Sequence, residues 1–140
     1  MRSHLDTVRS YFSICVDGKD VDRVGEFFDE HVVVYRPDAP APIIGLESFK
    51  NALRVNVTDR YESIKTSINK EVVADQVVVV ALKHEAKGSN VWHGFNVKGK
   101  NVTWTALTYF RFNEQGLVIE EIVERNELYM AKQLGIIDYA

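Results

Sequence analysis

The chain has 140 residues, a formal net charge of −3 and 46% hydrophobic residues, the size and balance of one domain with one core. Its lysines and arginines are scattered under a net negative charge, which excludes a nucleic-acid partner needing a concentrated basic face. No run of about 18 apolar residues is present to span a bilayer. The opening Met1-Arg2-Ser3-His4-Leu5-Asp6 lacks the apolar centre of a secretion signal. Cys15 is the single cysteine, so no intrachain disulfide forms. The expectation is one domain over residues 1–140, cytoplasmic, with no membrane association.

Leu5, Val8, Phe12 and Cys15 recur at helical spacing, with Tyr11 and Val16 widening the stripe, and predict an amphipathic first helix. Asp17-Gly18-Lys19 stops it. Asp20 is placed to cap a second helix with Val21, Val24, Phe27 and Phe28 on one face, which His31 ends. Val32–Tyr35 reads as a short strand by its β-branched content. Arg36–Pro42 holds all three prolines and is an extended loop. Gly45 precedes a third helix with Leu46, Phe49, Leu53 and Val57 inward. Strands follow over about Tyr61–Val73, Gln76–His84 and Val102–Phe112. The connection Glu85–Lys100 carries Trp92-His93-Gly94-Phe95. A last strand, Leu117 to about Glu124, leads into a short terminal helix.

Helices first and a run of strands after them predict an α+β fold with helices on one face of a mainly antiparallel sheet. Val77–Leu82 and Leu117–Ile119 are apolar at both parities, so the second face also wants a cover. No helix is left over to supply it. A second copy of the chain is the simplest cover, and a homodimer through the outer sheet face is expected.

From Arg36 to Gly135 the chain resembles the SnoaL-type polyketide cyclases of the nuclear transport factor 2-like superfamily. The matching pieces are Tyr35-Arg36-Pro37, Gly45-Leu46-Glu47, Ala74-Asp75-Gln76-Val77, His93-Gly94-Phe95 and Gly99-Lys100 before Val102-Thr103-Trp104. They continue through Tyr109-Phe110-Arg111-Phe112, Val118-Ile119-Glu120-Glu121 and the closing Gln133-Leu134-Gly135. The resemblance implies a cone: a strongly curved sheet around three N-terminal helices, enclosing a deep apolar cavity. It also implies a dimer, and ring closure of a small hydrophobic polycyclic substrate by an aldol step without metal or cofactor. The family's acid/base aspartate lies nine positions before the closing glycine, which in this chain is Asn126. An amide cannot exchange a proton at neutral pH, so the chemistry has either moved to a neighbouring carboxylate or changed.

With Asn126 facing the cavity, strand parity puts Glu124 and Ile122 beside it and turns Val123 and Arg125 away. On the preceding strand Trp104, Ala106, Thr108 and Phe110 face in, and Thr105, Leu107, Tyr109 and Arg111 face out. Glu124 is then the expected general acid/base, because a carboxyl in an apolar cone loses solvation of its charged form. Arg36, at a strand end before the proline loop, is the expected partner for a substrate oxygen, with pairing to Asp38 as its structural alternative. Tyr35, Tyr11, Phe12, Trp92, His93, Phe95, Trp104, Thr108 and Phe110 complete the expected substrate-binding set, against ordinary core packing for the aromatics. His84 and His93 flank the long connection as candidate proton relays, and His4 is expected in solvent. The four histidines show no metal-ligand spacing, so no metal is expected. These features point to a cofactor-independent cyclase or isomerase of polyketide- or terpenoid-type specialised metabolism. The alternatives are epoxide opening in the same fold, and a non-catalytic ligand-binding or dimerisation module.

Overall fold

The first apolar stripe folds as α1 (His4–Ser10) and runs without a break into a π-helical stretch over Tyr11–Asp17 in this computed structural model. Residues 2–138 are described; Met1, Tyr139 and Ala140 lie outside them. Ser3 caps α1, its hydroxyl oxygen accepting from the Asp6 amide at 3.1 Å. The second helix is only a 3-10 segment, Val21–Glu26, and β1 (Phe28–Tyr35) begins four residues ahead of the expected strand. Phe28 pairs with Val118 on the last strand, and this pairing overrides the local helical spacing. His31 therefore stands exposed within β1 and caps no helix.

After the proline loop, β2 (Ile43–Ile44) pairs back onto β1. Gly45, at φ 92°, turns the chain into α2 (Leu46–Arg54), a conformation that suits glycine. α2 buries Phe49 and Leu53 and passes into a second π-helical stretch, Val55–Asp59, that buries Val57. Two long strands, β3 (Tyr61–Ala74) and β4 (Val77–Gly88), form a hairpin. The connection after β4 is not merely a loop. It holds a small hairpin of β5 (Val91–Trp92) and β6 (Phe95–Asn96), turned by His93 at φ 48° and Gly94 at φ 84°. β7 (Asn101–Phe112), β8 (Val118–Arg125) and α3 (Glu127–Gln133) complete the chain.

The main sheet has the order β2-β1-β8-β7-β4-β3, antiparallel throughout except for the β1–β8 pair. It is large and curved, and the N-terminal helices cover one face, the α+β architecture expected from the element order. Tyr11, Phe12, Phe28, Phe49 and Phe110 pack ring against ring beneath the helices. Among the described residues no helix is long and apolar enough to cross a membrane. The opposite face carries Val79, Ala81, Tyr109 and Ile122, each half-buried, around a Leu107 that is 58% exposed.

One irregularity decides what the interior contains. Arg111 pairs with Glu120 but Phe112 pairs with Val118, so Ile119 is an extra residue in β8. A bulge of this kind reverses the alternation of the strand beyond it. Regular alternation from the buried Val118 would turn Glu120, Ile122 and Glu124 inward. The bulge turns Glu121, Val123 and Arg125 inward instead, opposite Phe110, Thr108 and Ala106.

Candidate active site

Between the two π-helical stretches, α2 and the covered face of the sheet lies a cavity of about 50 Å³. Its apolar wall includes Phe12, Val16, Phe49, Leu53, Val57 and Ile64; its polar groups are Tyr11, Arg36, Asn56, His84, Trp104, Thr108, Glu121 and Arg125. A second hollow of about 210 Å³, lined by Asp38, Ile43, Val55 and Arg60 among others, shares Arg36 and Asn56 with the first. Those two side chains stand between the inner chamber and the outer groove.

Glu121 is the centre of the inner chamber. It is 3% exposed, and burial pushes its carboxyl up to about 7, with the Arg36 and Arg125 guanidinia acting in the opposite direction. Desolvation prevails over two cations, so the group exchanges its proton nearer neutral pH than an ordinary carboxyl does. Burial also depresses Arg36, helped by the neighbouring Arg125 and opposed by Asp38 and Glu121. The Tyr11 phenol lies well above its ordinary value, because it is buried and faces the Glu121 charge. Two buried donors on the chamber wall, Trp104 Nε1 and Arg125 Nε, have no hydrogen-bond partner among the described residues. Such groups in a native fold call for an explanation, and a ligand oxygen is one.

The mouth is organised by Asp38. Arg125 Nη2 lies 2.9 Å from its Oδ1, Arg36 Nε lies 3.5 Å from the same oxygen, and Arg60 Nη1 lies 3.7 Å from Oδ2. Burial raises the Asp38 carboxyl, but Arg125 and Arg36 outweigh it and the net direction is down. Glu127 Oε1 is 3.5 Å from Arg125 Nη2 and 3.8 Å from His93 Nε2. Asp38, His93 and Glu127 thus bring ligand atoms within 4.8 Å of one another, a convergence hidden from sequence spacing. Three arginines already neutralise Asp38, and a divalent cation there would meet their repulsion. The donor set suits an ion-pair network, not a metal.

Also on the chamber wall, His84 is 8% exposed and its ring lies 5.0 Å from that of Trp104. Burial lowers its pKa to about 4, so the imidazole is neutral at ordinary pH. Nδ1 is 2.8 Å from Thr66 Oγ1, and that hydroxyl donates to Asp17 Oδ1 at 2.6 Å. The Thr66 amide donates to Asp17 Oδ2 at 2.8 Å.

Of the residues singled out by sequence, the chamber gathers Arg36, Tyr11, Phe12, Trp104 and Thr108. Glu124 is not there. It is exposed on the outer face opposite Leu107, because the β8 bulge reverses the expected parity. Asn126 lies past the end of β8 as the exposed N-cap of α3, its Oδ1 accepting from the Tyr129 amide at 3.2 Å. Tyr35 is 41% exposed, turned away from Arg36 by strand alternation. Trp92, His93 and Phe95 belong to the β5–β6 hairpin outside the chamber. Trp92 is buried against His93, and Phe95 is 49% exposed. Phe110 is core, packed against Tyr11, Phe12 and Phe28. His4, expected in solvent, stacks on Phe112 at 4.2 Å and meets Gln76 Oε1 at 2.9 Å. Sequence reasoning missed Glu121 and Arg125 in the chamber. The signal was the outward Arg111, whose cross-strand partner Glu120, 3.2 Å away, fixes its neighbour Glu121 as inward.

No curated protein matches the chain. Its fold is that of a putative SnoaL-like polyketide cyclase from Jannaschia sp. CCS1, at 17% identity, TM-score 0.85 and 99% coverage of each chain. TsrD from Streptomyces laurentii is similar at 16% identity, TM-score 0.83 and 98% coverage of both. IdmH from Streptomyces antibioticus, described as a putative polyketide cyclase, gives 17% identity and TM-score 0.81, over 96% of this chain and 99% of that one. The family model for SnoaL-like polyketide cyclases matches residues 6–134, and the chain belongs to that family.

Proposed function

We propose that the chain is a cofactor-independent cyclase or isomerase that works by acid/base catalysis on a hydrophobic, oxygenated small molecule. The observation that carries this is the Glu121 carboxyl, poised at about 7 in an apolar chamber between two guanidinia. Glu121 gives its proton to a substrate carbonyl oxygen as that oxygen gains charge. Arg36 and Arg125 stabilise the developing anion, and the unpartnered Trp104 Nε1 offers a further donor. The aromatic and aliphatic wall excludes water.

The inner chamber, at about 50 Å³, holds a water or two, not a polycyclic substrate. Substrate admission in this reading requires Arg36 and Asn56 to move aside, so that the chamber joins the outer groove. A non-catalytic module is disfavoured by the cost of burying a carboxyl and two guanidinia where an apolar filling would be more stable. Epoxide opening is the second reading, and the small chamber favours it: a single water beside Glu121 and Arg125 is what such a reaction consumes. A panel of polyketide-like methyl ketones and of terpenoid epoxides, assayed with wild type and Glu121→Gln, separates the two. Turnover of neither class, or turnover undiminished in the variant, overturns the proposal.

The outer sheet face, centred on Leu107, pairs two copies of the chain in this reading. Its apolar residues without an intrachain cover support that arrangement.

A further inference from the structure

A second titratable system reaches the chamber through His84, and the reaction above leaves it unused. Asp17 ends the first π-helical stretch, Thr66 lies on β3 and His84 on β4, so three separate elements are held in one hydrogen-bonded chain. A threonine hydroxyl has one proton to give. At 2.6 Å from the Asp17 carboxylate, Thr66 Oγ1 gives it there. The 2.8 Å contact with His84 is then a bond in which Nδ1–H donates to Thr66 Oγ1. The imidazole is fixed in one tautomer, and Nε2 carries a lone pair on a residue that lines the chamber.

We propose that His84, Thr66 and Asp17 form a proton conduit that takes a proton from substrate carbon in the chamber and delivers it to Asp17. The inference rests on the acid/base reading of the chamber. His84 is the catalytic residue; Thr66 and Asp17 are positioning residues. The step balances. The C–H electron pair forms the new C–C bond to the carbonyl carbon, and the carbon's proton moves to His84 Nε2. The Nδ1 proton passes to Thr66 Oγ1, and the Thr66 hydroxyl proton passes to Asp17. The carbonyl oxygen takes its proton from Glu121. No imidazolium is left in the apolar chamber, which is the state that burial of His84 opposes. Asp17 is only half-buried, and burial raises its carboxyl above the ordinary value, so it both accepts the proton and has a path to release it.

The test is the tautomer of His84 read by long-range nitrogen–proton NMR on the whole chain, a measurement that needs no substrate. Wild type is expected to show Nδ1–H with bare Nε2. Thr66→Ser keeps the hydroxyl and the tautomer, whereas Thr66→Val loses the preference. Asp17→Asn turns the chain round: its amide donates to Thr66 Oγ1, the hydroxyl donates to Nδ1, and His84 becomes the Nε2–H form. An Nε2–H wild type, or a tautomer unchanged in both Thr66→Val and Asp17→Asn, overturns the proposal. On the substrate identified with Glu121, Thr66→Ser should retain turnover, and Thr66→Val and Asp17→Asn should each lose about tenfold or more. Equal turnover in all three overturns the catalytic part. Failure of the Glu121 reading leaves the tautomer result standing, so the two are distinguishable.

Discussion

Replacing Glu121 by glutamine should make the protein more stable and less active, with a pH signature that identifies the cause. In the unfolded chain a glutamate ionises near 4.5; in the chamber Glu121 does so at about 7. The native state therefore binds the extra proton between those values. Stability present below the unfolded pKa is lost as the pH rises through the native one. The displacement from 4.5 to about 7 corresponds to a penalty of about 3 kcal/mol on the wild type once Glu121 is fully ionised. The substituted amide never ionises, so Glu121→Gln should match wild type near about pH 4 and exceed it by about 3 kcal/mol at about pH 8. Urea unfolding of both proteins across this range measures the difference directly. Turnover at neutral pH should fall by about a hundredfold in the same variant. Two stability curves that run parallel from acid to alkaline pH would refute the reasoning, because they would mean that the carboxylate is as well solvated in the chamber as in water.

Glu124→Gln should leave turnover near the wild-type value, since Glu124 is exposed on the outer face; a hundredfold loss would return the acid/base role to it. Asn126→Ala should cost about 1 kcal/mol through loss of the α3 cap, measured by thermal unfolding, with turnover retained. Arg125→Ala leaves Asp38 with its two longer pairings, at 3.5 and 3.7 Å, and should destabilise by about 3 kcal/mol in urea. A cost under about 1 kcal/mol would show that Arg36 and Arg60 alone hold Asp38. Light scattering should give a dimer for wild type and a monomer for Leu107→Lys, and a monomeric wild type would refute pairing through the outer face.

The fold was legible because its signals are local and repeated. The Leu5–Cys15 stripe, the three prolines between Arg36 and Pro42, and the long β-branched runs each constrain the chain within a few residues. Inward parity on β7 was equally readable, since Trp104, Ala106, Thr108 and Phe110 alternate without interruption and all are buried. β8 was not readable in the same way. Its period of two holds only as far as Val118, and the bulge at Ile119 is set by pairing with Arg111 and Phe112, a long-range fact. Anchoring the strand on Asn126 added a second error, because that residue had already left the sheet to cap α3. The early start of β1 failed for a related reason: Phe28 is helical by spacing but a strand by partnership with Val118. The Asp17–Thr66–His84 chain joins residues 49 and 18 positions apart, and no spacing rule reaches across three elements to assemble it.

The surplus residue in β8 has an evolutionary consequence. If the codon for Ile119 were lost, the ladder would straighten while Glu121, Val123 and Arg125 kept their orientation. Gaining one codon just beyond it would carry all three to the opposite side and bring their neighbours in. A single added residue within β8 would thus exchange the whole inward set without a series of substitutions. Comparing relatives column by column across such an insertion would pair side chains that never occupied the same place.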